Sequence, residues 1–153
     1  MKEECEKYER LIADHGGIDI QLLGLGKSGH IGFNEPLSSL FSRTREKALT
    51  QTTIDQNSGL FHKPSDMPKR ALTMGVGTIL EAKRIIMLAT GKDKAEILAK
   101  AVEGPITSMI SATALQLHPA CTVVCDEDAA KNLTEKEYYR WIFQNEPEWE
   151  PYR

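Results

Sequence analysis

The sequence predicts an α/β fold: a Rossmann-like, mostly parallel sheet flanked by helices. Three observations predict it. Short β-prone apolar runs recur at 18–23, 84–89 and 121–125. Segments with apolar residues at helical spacing lie between them. Glycine or proline punctuates most of the joints. Alternation of this kind belongs to a parallel sheet whose crossovers are helices. A chain of 153 residues makes one α/β domain over 1–153.

The elements follow in order. Residues 3–15 place Cys5, Tyr8, Leu11 and Ile12 on one helical face and stop at Gly16-Gly17. Residues 18–23 form the first strand. Residues 24–40 are rich in Gly, Asn, Pro and Ser, a loop long enough to carry function. Residues 43–58 are polar and threonine-rich and give only a weak signal. Residues 62–69 hold Pro64 and Pro68 and read as an exposed turn. Ala71–Met74 reads as a short strand, and Gly75-Val76-Gly77-Thr78 turns into a helix through Ile79, Leu80 and Ala82. Arg84–Ala89 is almost continuously apolar, the mark of a strand buried in a parallel sheet. A helix over 94–103 ends at Gly104-Pro105, and a short one over 111–117 ends at His118-Pro119. Cys121–Cys125 is the last strand, and 127–144 supplies one or two closing helices. Three or four strands are few for such a sheet, so either the sheet is small or this chain is part of a larger one.

Composition excludes several classes. Hydrophobic residues make up 41% and charged residues 27%, which excludes a disordered tail or a low-complexity linker. Lys plus Arg number 19 against 22 Asp plus Glu, so no basic excess points to nucleic acid. No apolar run approaches the ~20 residues that span a bilayer. The start, Met1-Lys2-Glu3-Glu4, has no secretory pattern, so a cytoplasmic protein is expected. Of three cysteines, Cys121 and Cys125 sit in an apolar strand as buried thiols. No second Cys/His pair stands at zinc-ligand spacing, so no metal is expected.

Two motifs resemble phosphate loops and fail. Gly24-Leu25-Gly26-Lys27-Ser28-Gly29 matches G-x-G-x-x-G after a strand, but a dinucleotide site also needs a helix to start there. His30-Ile31-Gly32-Phe33-Asn34-Glu35-Pro36 follows instead, with a glycine and a proline. Gly26-Lys27-Ser28 looks like the end of a P-loop, yet Gln21 stands where that loop needs its first glycine.

His30 and Glu35 are the stronger pair. A histidine ordinarily titrates near ~6.5, so it can take and give a proton at neutral pH. A nearby carboxylate orients the ring. The competing reading is a histidine that only hydrogen-bonds its own loop. Thr90-Gly91-Lys92-Asp93-Lys94 lies where a strand hands over to a helix, and free N–H groups with a lysine suit an anion such as a sugar phosphate. Arg43, Arg45 and Lys47 form a cationic stretch that suits a second anion or is ordinary solvated surface.

These residues resemble the glucosamine-6-phosphate deaminase (isomerase) family. The likeness lies in Gly16–Gly26 and in Gly29-His30-Ile31-Gly32-Phe33-Asn34-Glu35-Pro36. It continues through Ser38-Ser39-Leu40, Ser42-Arg43-Thr44-Arg45, 71–78, Ala101-Val102-Glu103-Gly104 and Leu115-Gln116-Leu117-His118-Pro119. The resemblance implies an enzyme that opens the pyranose ring, isomerises the amino aldose and releases ammonia, giving fructose 6-phosphate. It implies His30 and Glu35 as the ring-opening pair, with Ser28 beside them. It implies Gly29 and Lys94 as substrate-binding residues, Lys94 on the phosphate. Ser38, Ser39, Arg45 and Lys47 match residues of an allosteric N-acetylglucosamine-6-phosphate site of bacterial members. The resemblance also implies a homo-oligomer, or association with a missing N-terminal half.

The chain departs from the family pattern. Ser28 stands where members have aspartate or asparagine, so less charge assists His30. Gly59 follows Asn57-Ser58 where a phosphate-binding arginine is expected, and Ala48 stands where threonine is common. The match starts inside the family's chain, so the first strands, a glycine- and serine-rich phosphate loop and the aspartate that moves the C1–C2 proton are expected to be absent. That would leave a sheet face and edge uncovered and lead to association. Besides the deaminase, two readings stand: a catalytically incomplete sugar-phosphate-binding or regulatory module, and a sugar-phosphate isomerase or lactonase relative acting on another substrate.

Overall fold

The computed structural model describes all residues from 1 to 153. Helix α1 (Lys2–Asp14) is amphipathic and stops at the expected glycine pair. Strand β1 (Ile20–Gly24), strand β4 (Arg84–Ala89) and strand β5 (Cys121–Cys125) form one sheet in the order β1-β4-β5. Both pairings are parallel, with Leu22 against Ile86, Leu23 against Met87, and Leu88 against Val124. The expected α/β class is what the chain adopts. β4 takes the centre, its backbone paired with β1 on one edge and β5 on the other.

One expectation changes. The Ala71–Met74 strand does not join the parallel sheet. It is β3 (Arg70–Thr73), and it pairs antiparallel with β2 (Arg45–Ala48) in a separate two-stranded sheet. The sequence of β2, Arg-Glu-Lys-Ala, has no apolar face, so only pairing with β3 makes it a strand. Helix α2 (Gln51–Asn57) starts after β2, and α3 (Val76–Leu80) leads into β4. Helix α4 (Ala95–Glu103) starts one residue later than expected, after a 3₁₀ turn over Lys92–Lys94. Residues Ser111–Leu117 coil as 3₁₀ rather than α. The closing segment splits into a 3₁₀ turn at Ala129–Asn132, helix α5 (Lys136–Asn145) and a 3₁₀ turn at Pro147–Tyr152.

The core occupies one face of the parallel sheet. Leu23, Ile85, Met87 and Ala89 pack there with Leu98 and Ala101 of α4 and with Ala112 and Leu115. Fully burying one such side chain stabilises the fold by about 1.5–3 kcal/mol. The other face is open. Ile20 and Leu22 are each 59% exposed, Leu88 43% and Val124 49%. Parallel sheets are almost always covered on both faces, so this surface is out of the ordinary.

Helix α1 is tied down by a carboxylate rather than by a broad apolar face, since Cys5 is its one buried residue. Glu9 accepts hydrogen bonds from the Thr44 N–H at 2.8 Å, the Thr44 hydroxyl at 2.5 Å and the Thr78 hydroxyl at 2.7 Å, and it pairs with Arg43. Partial burial pushes its pKa up, but the Thr44, Thr78 and Arg43 donors outweigh that and hold it at about 2, against an ordinary 4.5. A pKa lowered by folding stabilises fully above the unfolded value, and the gain drains away as pH falls from 4.5 towards about 2. Glu9→Gln is therefore expected to cost about 2 kcal/mol at neutral pH and to flatten the acid limb of stability. Urea midpoints measured from pH 7 to pH 2 check this; an unchanged acid limb would reject it.

Candidate active site

The long loop after β1 leaves the carboxyl edge of the parallel sheet, where open α/β sheets bind ligands. The Leu25 N–H continues the ladder to the Leu88 carbonyl at 3.3 Å. The chain then folds tightly back: the Gly26 N–H donates to the His30 carbonyl and the Gly29 N–H to the Gly26 carbonyl, both at 2.9 Å. Gly29 has φ +75°, which favours glycine, and a Cβ there would strike Ile97 and Ile110. Its carbonyl accepts from the Ala112 N–H at 2.9 Å, so Gly29 is buried with both backbone groups committed. Gly29 thus shapes the turn, and its backbone polar groups are already engaged within the protein.

The rest of the loop is bolted to its surroundings. The Ile31 N–H donates to Ser111 Oγ at 3.2 Å, and the Ser111 hydroxyl donates to the Asn34 carbonyl at 2.8 Å. Asn34 Nδ2 donates to the Ile31 carbonyl at 2.9 Å and the Met74 carbonyl at 2.8 Å. The Phe33 N–H donates to Thr73 Oγ1 at 3.0 Å. Ser38 donates to the Glu35 carbonyl at 2.7 Å. Leu37 between them has φ 68°, a left-handed conformation that costs a leucine about 1–2 kcal/mol. The loop holds it with a bond from its N–H to the Ser108 carbonyl at 2.9 Å.

This frame brings Ser28, His30 and Glu35 together. Ser28 Oγ lies 2.8 Å from His30 Nδ1, and Glu35 Oε2 lies 3.1 Å from the same nitrogen. The side chains of His30 and Glu35 are only 12% and 3% exposed. Burial pushes the Glu35 carboxyl up. Hydrogen bonds from the Thr53 hydroxyl and the Thr50 N–H, the charge of His30 and the Thr50 hydroxyl more than offset this, so its pKa lies below the ordinary range. An ionised carboxylate can only accept, so Nδ1 carries the proton and Nε2 keeps a free lone pair. Nε2 faces Gly26, where any Cβ would overlap the imidazole.

Lys94 joins the same loop. Its Nζ donates to the Leu25 carbonyl at 2.7 Å. Its pKa is lowered, first by partial burial and then by the charge of Lys27, with Asp93 pulling the other way. Lys27 is close enough for its charge to be felt at Lys94, and two neighbouring cations favour an anion. The free N–H groups expected after β4 are not all free: the Gly91 N–H is bound by both Asp126 carboxylate oxygens at 3.0 and 2.9 Å. The chain's own carboxylate fills that position, so an anion would meet the Lys94 side chain rather than the turn.

The cationic stretch divides. Arg43 is consumed by Glu9 and Glu81. Arg45 Nη1 donates to Asn34 Oδ1 at 2.9 Å, and burial lowers its pKa. Lys47 shares the β2 face with Arg45, half-buried. Ser38 spends its hydroxyl on the Glu35 carbonyl, and Ser39 Oγ accepts from the Phe41 N–H at 3.2 Å. Sequence reasoning missed Thr50, Thr53, Ser111 and Asp126. The available signal for the first two was Thr-x-x-Thr opening a helix, a capping pattern.

The model of the family described as glucosamine-6-phosphate isomerases/6-phosphogluconolactonase matches residues 1–131. The chain belongs to this family. It is 54% identical over 139 residues to a glucosamine-6-phosphate deaminase of Hahella chejuensis, covering 91% of this chain and 53% of that protein. It is 49% identical over 152 residues to the deaminase of Rhodococcus opacus, covering 99% of this chain and 59% of that protein. A solved monomeric glucosamine-6-phosphate deaminase superposes with TM-score 0.82 at 47% identity, over 86% of this chain and 54% of its own. The 6-phosphogluconolactonase of Trypanosoma cruzi superposes with TM-score 0.62 at 26% identity, over 86% and 52%. The chain thus spans about half the length of the relatives it matches. No helix is long and apolar enough to cross a membrane.

Proposed function

We propose that this chain carries the ring-opening and phosphate-holding part of a glucosamine-6-phosphate deaminase, as a single α/β domain equivalent to the family's C-terminal portion. The overall reaction is glucosamine 6-phosphate plus water to fructose 6-phosphate plus ammonia. His30 Nε2 takes the proton of the anomeric hydroxyl and delivers one to the ring oxygen as the C1–O5 bond breaks, giving the open aldehyde. Glu35 and Ser28 hold the ring in the required tautomer. Lys94, with Gly29 shaping the turn beside it, receives the phosphate. No metal or organic cofactor enters this chemistry. Ser38, Ser39, Arg45 and Lys47 are proposed for the allosteric anion, with the Arg45 and Lys47 side chains supplying its charge. The single observation that carries the reading is a buried His30–Glu35 pair with Nε2 unengaged, in a loop whose Leu25 carbonyl holds Lys94 at 2.7 Å.

The isomerising step needs a base to move the proton between C1 and C2. Glu35 is fully engaged by His30, Thr50 and Thr53, so it is a poor candidate. That favours a second reading, a sugar-phosphate-binding module that does not complete the reaction alone. The open sheet face is proposed to take the polypeptide that supplies the rest of the relatives' length. Three unpaired thiols support a reducing, cytoplasmic setting.

Ammonia release from glucosamine 6-phosphate by the purified chain, with His30→Ala beside it, tests the proposal. Any release should disappear in His30→Ala. Undiminished release in the variant rejects the role of His30, saturable binding without release supports the second reading, and neither binding nor release rejects both.

A further inference from the structure

We propose that Thr53, seconded by Thr50, is the positioning residue that holds Glu35 as the acceptor of the His30 Nδ1–H and so leaves Nε2 to meet the substrate. The inference rests on the role given to His30 above and extends it to a helix that carries no charge to the site.

The geometry singles out one carboxylate oxygen. Glu35 Oε2 faces His30, and Oε1 faces α2. Oε1 accepts from the Thr53 hydroxyl at 2.5 Å, the Thr50 hydroxyl at 3.1 Å and the Thr50 N–H at 3.3 Å. Thr53 is 1% exposed and Glu35 2%. The only ion-pair partner of Glu35 is His30, which is charged only when protonated. A buried carboxylate without lysine or arginine survives only on hydrogen bonds, and α2 supplies three of them.

A purely structural role does not account for this arrangement. Thr50 caps α2 by accepting the Thr53 N–H at 3.3 Å, and that cap needs no carboxylate. A helical threonine hydroxyl ordinarily turns back to a carbonyl three or four residues earlier. The Thr53 hydroxyl reaches instead to a residue 18 positions away in the chain. Without that donor the carboxylate is short of partners and holds its charge less well. A protonated Glu35 no longer demands the Nδ1 proton, and the imidazole is free to place its proton on Nε2, where it cannot act as a base.

Nuclear magnetic resonance of the whole 153-residue chain tests this without substrate. Long-range ¹⁵N spectra report the His30 tautomer, and carboxyl ¹³C shifts follow Glu35 against pH. The native chain should show the Nδ1–H pattern at neutral pH. Thr53→Val should lose that pattern and move the Glu35 midpoint to higher pH, and Thr53→Ser should restore both. Thr53→Cys, nearly isosteric but a weak donor, should move the midpoint in the same direction and serves if Thr53→Val does not fold. A native Nε2–H pattern, or an unmoved Glu35 midpoint in a folded Val or Cys variant, would overturn the proposal. A chain that neither binds glucosamine 6-phosphate nor releases ammonia from it removes the proposed function and leaves this result standing, so the two failures are distinguishable.

Discussion

Replacing His30 with alanine is expected to abolish the chain's acceleration of anomer exchange in glucosamine 6-phosphate, a loss of about 10²- to 10⁴-fold over the spontaneous rate. Anomer exchange is the ring-opening step alone. It needs one group that takes the O1 proton and returns one to O5, and it needs no C1–C2 base, so the role proposed for His30 does not depend on the rest of the relatives' length. The proton path rests on Nε2, since Nδ1 is committed to Glu35 and Ser28. Gly26→Ala gives the same loss by another route: its methyl group would occupy the space of the imidazole and drive it off the carboxylate. Exchange spectroscopy on the anomeric protons measures both. Full acceleration in His30→Ala would place ring opening on another group.

The parallel sheet was legible because its strands are made of residues that want burial. Arg84–Ala89 and Cys121–Cys125 announce themselves by apolar content, whatever surrounds them. Arg45–Ala48 was not legible, because nothing local distinguishes a strand of Arg, Glu, Lys and Ala from a solvated loop. Only its partner Arg70–Thr73, whose Arg70 pairs with Ala48 across a long intervening segment, makes it a strand. The site divides in the same way. His30 and Glu35 could be read together because one loop carries both. Thr50 and Thr53 could not, since their task depends on α2 folding over a carboxylate that the sequence leaves fifteen and eighteen positions behind. Asp126 is further still, 35 residues from the Gly91 N–H it occupies. Turn chemistry and apolar periodicity are local, whereas the partners of buried charge are chosen by tertiary structure.

Ile85→Ala is expected to cost about 3 to 4 kcal/mol, whereas Leu88→Glu, three residues along the same strand, is expected to cost less than about 1 kcal/mol in the isolated chain. Ile85 is 0% exposed against α4, and truncation leaves a cavity that the surrounding core cannot fill. Leu88 is 43% exposed on the open face, beside Gly24 and Val124, so a carboxylate there stays in water. The same substitution should have its large effect on association. With Ile20, Leu22 and Val124 it makes an apolar surface across all three strands, and surfaces of that kind bind other polypeptide. The native chain, presented with no other partner, should self-associate as its concentration rises, and Leu88→Glu should remain monomeric. Urea unfolding measures the first contrast and sedimentation the second. A native chain that stays monomeric at every concentration would mean that the exposed leucines are stable in water, and the reason for expecting a covering polypeptide would fall with it.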